Sequence, residues 1–162
     1  MRSHARVTGG GRARYAIVRG VTIEQITDRL EITDALIRYT RAIDTGDWDG
    51  LDTVFTADAE IDYTQSGGIA GSYAVIKPWL AQNLPIFSRR MHSLAQIAID
   101  PDGPDGATVA AYFHNPMVLP QRHGKPDLIV EFGGIYHHEF ARTAQGWRSR
   151  RLLEEICWQR GL

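Results

Sequence analysis

The chain reads as an α+β domain, helices first and a long antiparallel finish. Two observations predict this. Apolar residues recur near the helical period at Ile23, Ile26, Leu30, Leu36, Ile37 and Ile43. From about residue 86 the pattern changes to period two, in stretches separated by turn residues. A run of helices followed by a run of strands packs as helices on one face of a curved, mainly antiparallel sheet. At 162 residues and 18.1 kDa the chain suits one domain, with a core large enough to need no disulfide or structural metal.

Each element has a local reason. Residues 1–20 read as a flexible basic arm, because Gly9-Gly10-Gly11 and five Arg without an acid cannot bury a core. That arm either touches a partner or is a leader with no role, and residues 21–162 form the domain. Thr22 and Gln25 have capping-box spacing, and Thr45-Gly46 ends the first helix. Asp47 is a good N-cap for a second, short helix carrying Trp48, Leu51, Val54 and Phe55. Ala59 to Tyr63 alternates as a short strand, and Gly67-Gly68 turns the chain. Residues 72–84 look helical, with Pro78 near the first turn or kinking the helix. Long strands are expected at 88–100, 107–119, 127–141 and 146–158. Pro101-Asp102-Gly103, His123-Gly124-Lys125-Pro126 and Thr143-Ala144-Gln145-Gly146 join them.

Charge and cysteine count narrow the partners. Net charge is −1, and removing the five Arg of the arm leaves 13 basic against 19 acidic residues, a net of −6. Nucleic acid is excluded as a partner on that balance. No segment approaches the length of a membrane-spanning apolar run. A single cysteine, Cys157, excludes an internal disulfide framework and suits a cytoplasmic location. In the 127–141 strand one face holds Leu128, Val130, Phe132, Tyr136 and Phe140, and the other Ile129, Glu131, Ile135, His137 and Glu139. Neither face is cleanly polar, so a second copy is expected to cover the outer one, in a homodimer or homotrimer.

The residues that could carry chemistry are few. Asp44 falls in the last turn of the first helix, where the macrodipole disfavours a carboxylate and should raise its pKa. It is a candidate acid or base, or else it caps the turn or pairs with an Arg. Tyr39, five residues earlier, is off Asp44's helical face and converges with it only if the chain bends. His92 shares a strand face with Leu94, Gln96 and Ala98, and His114 shares one with Tyr112. Either is a proton shuttle or a core histidine with its hydrogen bonds satisfied. His137 and His138 point to opposite faces, so no metal site is expected. Arg148, Arg150 and Arg151 with Glu154 and Glu155 read as an exposed, self-paired charge cluster.

The segment RYTRAIDTGDWDGLDTVFTADAEIDY resembles the SnoaL-like group of the nuclear transport factor 2-like superfamily. Its signature here is Tyr39, Asp44, Asp47-Trp48-Asp49 and then Phe55 with Asp58-Ala59, followed later by His92 and four long strands. The resemblance spans about residues 22–160. It implies a cone-shaped α+β barrel with a hydrophobic pocket, acting without cofactor or metal as a dimer or trimer. The bile-acid 7α-dehydratase pattern carries over to Tyr39, Asp44 and His92. The scytalone dehydratase pattern carries over to Asp44, Tyr63, His92 and His114. Where the dehydratases carry other residues, this chain has Ile43, Asn115, Gly134, Tyr136 and Ile156.

The resemblance implies Asp44, His92 and Tyr39 as catalytic residues of a dehydratase or isomerase. Tyr63, Phe113, His114, Asn115, Met117 and Tyr136, with Trp79 and Phe87, would surround a hydrophobic cyclic ligand such as a steroid or polyketide. The alternative is a non-catalytic binding or assembly module on the same fold. Epoxide hydrolysis or ring hydroxylation is a third reading, drawing on Asp62 and Glu131.

Overall fold

The computed structural model describes residues 20–122 and 124–161, so the expected arm lies outside them except for Gly20. Helix α1 spans Ile23–Thr45 and opens on the expected capping box. Thr22 Oγ1 accepts from the Gln25 N–H at 3.1 Å, and Gln25 Oε1 accepts from the Thr22 N–H at 3.0 Å. Gly46 closes the helix at φ 72°, a left-handed conformation open to glycine. Its packed stripe is Ile32, Ala35, Leu36, Tyr39, Ala42 and Ile43. Ile23, Ile26, Leu30 and Ile37, which helped to mark the helix in sequence, are exposed.

The short helix expected after Asp47 is a 3-10 helix over Asp49–Thr53, and the Asp47 carboxylate accepts from the Gly50 N–H at 3.0 Å. Strand β1 (Phe55–Asp62) begins four residues before the alternation in sequence. The reason is a bulge: five β1 residues pass while its partner strand advances by two, so the first half has no period-two pattern. Strand β2 (Ala70–Ser72) leads into α2 (Tyr73–Asn83), which carries Pro78 in its second turn.

The strand expected over 88–100 is two strands, β3 (Arg89–Arg90) and β4 (Ser93–Pro101). The break serves the end of α1. Arg90 Nε donates to the Ile43 carbonyl at 2.9 Å, and Arg90 Nη1 donates to the Leu84 carbonyl at 2.8 Å. The Ile43 and Asp44 carbonyls at the C-terminus of α1 thus gain a cationic donor, which also ties them to the chain that follows α2. Within β4, Gln96 adopts φ 47° at a register shift. Leu94, Ile97 and Ile99 therefore share the inner face through their pairing with Phe113, Ala111 and Val109, while Ala98 turns outward. The expected Leu94–Gln96–Ala98 face does not form.

Strands β5 (Gly106–Leu119), β6 (Leu128–Thr143) and β7 (Gly146–Arg160) form the long antiparallel wall. Among the described residues the sheet has seven strands in the order β2-β1-β7-β6-β5-β3, with β4 also pairing β5. All pairings are antiparallel except β1 with β7. Two α-helices and this mixed, mostly antiparallel sheet give the expected α+β cone. The core fills the space between α1 and the inner face, with Tyr39, Leu36, Tyr136, Phe140 and Leu152 fully buried.

Candidate active site

The site starts at the end of α1. The Asp44 carboxylate receives two hydrogen bonds from one residue: His92 backbone N–H to Oδ2 at 2.8 Å, and His92 Nδ1 to Oδ1 at 2.6 Å. Breaking the strand at Met91–His92 releases that backbone N–H from the sheet for this purpose. Burial pushes Asp44 upward, but the hydrogen bonds and charge of His92, with Arg90 nearby, outweigh it and hold the carboxyl below its ordinary value. The expected raised pKa is therefore corrected: the dipole of α1 is offset by direct donors.

An ionised Asp44 keeps the proton on Nδ1, so in the neutral ring Nε2 is the acceptor. Nε2 lies 3.0 Å from the Tyr136 hydroxyl, which donates to it. The His92 side chain is 2% exposed, and Asp44 behind it is 21% exposed. Tyr136 is fixed from two sides. Phe113 stacks on it at 4.0 Å between ring centroids, and Tyr39 meets it edge-on at 5.3 Å. Gly134 makes this possible, because a Cβ there would come 3.0 Å from Phe113 and collide with the Glu155 carbonyl.

Tyr39 and Asp44 do not converge by a bend, since α1 continues through both. They are joined through Tyr136. The Tyr39 hydroxyl lies 2.8 Å from that of Tyr63, which follows β1. One hydroxyl proton of that pair is shared between them, and the other remains for a third group. Burial holds Tyr39, Tyr63 and Tyr136 well above the ordinary phenol value, so all three act as neutral donors.

These groups face a cavity of about 330 Å³, a size that suits a small organic ligand. Tyr39, Tyr63, His92, Asn115, Met117 and Tyr136 line it, as do Trp79 and Phe87. Leu80, Leu84, Val130 and Phe132 complete an apolar wall. Three sequence candidates stand elsewhere. Asp44 supports His92 from behind. Phe113 touches the site through Tyr136. His114 points to the opposite face of the sheet, 3.5 Å from Glu131 and beside Trp158. Strand alternation alone sends it there, because Phe113 and Asn115 take the inner face. Asp62 is held by Thr64, and Glu131 pairs with Arg160 on the outer face, so neither carboxylate reaches the cavity.

Glu154 is the residue that the sequence reading misplaced. It is 6% exposed, lines the cavity, and pairs in register with Tyr136 across β6 and β7. Burial pushes its pKa up to about 7, although the hydroxyls of Ser66 and Tyr136 pull it back toward ordinary values. The rest of the charge cluster pairs with neighbours on β6, and not with itself as the sequence predicts: Arg150 and Arg151 with Glu139, and Glu155 with His137, while Arg148 donates to the Trp147 carbonyl. Among the described residues no group of three metal-ligating side chains forms.

Comparison with known proteins agrees with this architecture. The uncharacterized Mycobacterium tuberculosis protein Rv2910c is 41% identical over 140 residues, covering 86% of this chain and 92% of that protein. A solved structure from Novosphingobium aromaticivorans, described as a candidate aromatic ring hydroxylase, is 32% identical. It has a TM-score of 0.74 and covers 85% of this chain and 94% of that one. The hexachlorocyclohexane dehydrochlorinase LinA-type3 from Novosphingobium barchaimii LL02 shares the fold at TM-score 0.73 and 15% identity, over 86% of this chain and 92% of that one. The family model for a SnoaL-like domain matches residues 24–152, and the chain belongs to that family, on the nuclear transport factor 2-like fold.

Proposed function

We propose that this protein is a cofactor-independent lyase or isomerase, acting by acid–base chemistry on a hydrophobic cyclic compound of steroid or polyketide type. The observation that carries the reading is the Asp44–His92 pair, hydrogen-bonded at 2.6 Å, whose second ring nitrogen meets the Tyr136 hydroxyl at the wall of an apolar cavity that His92 and Tyr136 both line. The fold is shared with a protein named for an elimination, the dehydrochlorinase, but the reading rests on these residues.

The chemistry follows from the arrangement. When a carbonyl compound enters, the Tyr136 hydroxyl turns its hydrogen bond from His92 Nε2 to the carbonyl oxygen. The freed Nε2 removes a proton next to the carbonyl, and Asp44 stabilises the imidazolium that forms. Tyr136 donates to the enolate oxygen, in a site where wall residues exclude water. In an isomerisation the proton returns to another carbon. In a dehydration the C–O bond breaks, and the hydroxyl leaves as water with a proton from the Tyr39–Tyr63 pair. The proton held by His92 then restores the phenols.

The test is a screen of cyclic β-hydroxy ketones, read as the absorbance of the conjugated enone. His92→Ala should keep the circular dichroism of the wild type and lower turnover by about 10²-fold or more. An unchanged rate would remove His92 from the mechanism. Binding without turnover across the panel would favour the non-catalytic ligand-binding module.

The outer face of β4–β7 supports a second part of the reading. Tyr112, Ile129 and Trp158 there are 44%, 47% and 48% exposed, on a sheet whose other side is core. A second copy of the chain covers this face in the proposed homo-oligomer. The proposed place of action is the cytoplasm. Among the described residues no helix is long and apolar enough to cross a membrane.

A further inference from the structure

The proposed proton transfer uses His92, Asp44 and the phenols and leaves one buried carboxyl without a task. The Ser66 and Tyr136 hydroxyls stand near the Glu154 carboxyl, yet its Oε2 has no hydrogen-bond partner and almost no solvent contact. It lines the cavity deep in β7, opposite Tyr136, where the surrounding wall is mostly apolar. A second orphan stands in the same cavity, the side-chain oxygen of Asn115. Leaving such atoms unpaired costs stability, and a molecule that supplies the missing donor recovers that cost on binding.

We infer that Glu154 reads the ligand, its Oε2 accepting a hydrogen bond from a hydroxyl on the buried end of a cyclic, otherwise apolar molecule, with Asn115 as a second polar contact. The assignment rests on the cavity being the ligand site, as proposed above, and narrows the ligand to cyclic alcohols and phenols. A hydroxyl fits because it both donates and accepts, and so pairs with the carboxyl in either protonation state. Near neutrality both states are populated. A halocarbon or hydrocarbon offers no donor and would leave Oε2 unpaired. Compounds with only halogen leaving groups are therefore poor occupants, although a dehydrochlorinase shares the fold.

Isothermal titration calorimetry with 2-naphthol and 2-methylnaphthalene, close in size and differing in the donor, tests this. The wild type should bind 2-naphthol about tenfold or more tightly than 2-methylnaphthalene at pH 8. In Glu154→Leu the preference should fall below about threefold, with 2-methylnaphthalene bound at least as well as by the wild type. Glu154→Gln keeps the size and one acceptor, and should give an intermediate ratio should the leucine variant not fold. A wild type that binds both probes alike, or a ratio unchanged in the variants, overturns the role of Glu154 while leaving the cavity as a ligand site. Failure of the wild type to bind either probe overturns both.

Discussion

Asp44 performs two tasks with one carboxylate: it anchors the break between β3 and β4 through the His92 N–H, and it fixes the tautomer of the His92 ring. Asp44→Asn separates them. The amide can still accept from the backbone N–H, but it no longer compensates a charge on the ring. Turnover should fall by about 10²–10⁴-fold, while urea denaturation shows a loss of only about 1–3 kcal/mol. A variant with wild-type turnover would show that His92 acts without its carboxylate. Much of this site is legible residue by residue. Tyr39 and His92 are singled out by the family resemblance, the strand face expected to bury His92 not having formed. Asp44 stands out in sequence because a helix-end Asp has no local duty. Glu154 does not, because RSRRLLEEIC looks like a charged surface strand. Strict alternation from Trp147 would turn Glu155 inward. The bulge at Arg150 shifts the phase by one and brings in Glu154 instead.

The same arithmetic governs whole elements. Period two identified β5 and β6, which alternate over most of their length, and marked β7 despite its bulges at Arg150 and Cys157, whereas the shifts in the shorter β1 and β4 erase it. The site depends on those irregularities: an unbroken strand over 88–100 would commit the His92 N–H to the sheet and leave Asp44 without its second donor. The long strands have their own consequence, an outer face with Tyr112 and Trp158 about half exposed. Charges placed there should not disturb the core. The double variant Tyr112→Lys, Trp158→Lys should sediment as a monomer and retain the wild-type circular dichroism, where the unchanged chain sediments as a dimer or trimer. A wild-type chain that is monomeric at all concentrations would reject the second copy as the cover.

Across the whole molecule, two buried groups set opposite pH dependences. His138 is packed between Tyr39 and Phe140, with its Nδ1 2.9 Å from the Ser149 hydroxyl. Burial, then the neighbouring His137, lowers its pKa from 6.5 to about 3. Between those values the unfolded chain binds the extra proton, so this contribution to stability is complete above pH 6.5 and is lost as the pH falls toward 3. Glu154 runs the other way. Its pKa rises from 4.5 to about 7 on folding, so the folded chain holds the extra proton in that window. Its contribution is complete below pH 4.5 and is lost as the pH rises through 7. Each slope is about 1.4 kcal/mol per pH unit at most. Where the windows overlap, from pH 4.5 to 6.5, these two contributions oppose each other and their sum is nearly flat. Glu154→Gln removes one of them. Its stability relative to the wild type, from urea denaturation, should rise by about 2–3 kcal/mol between pH 5 and pH 8. All other titrating groups are common to both proteins and cancel in that difference. Parallel stability curves would mean that Glu154 is as free to ionise in the folded cavity as in the unfolded chain, and that the cavity is wetter than its apolar wall implies.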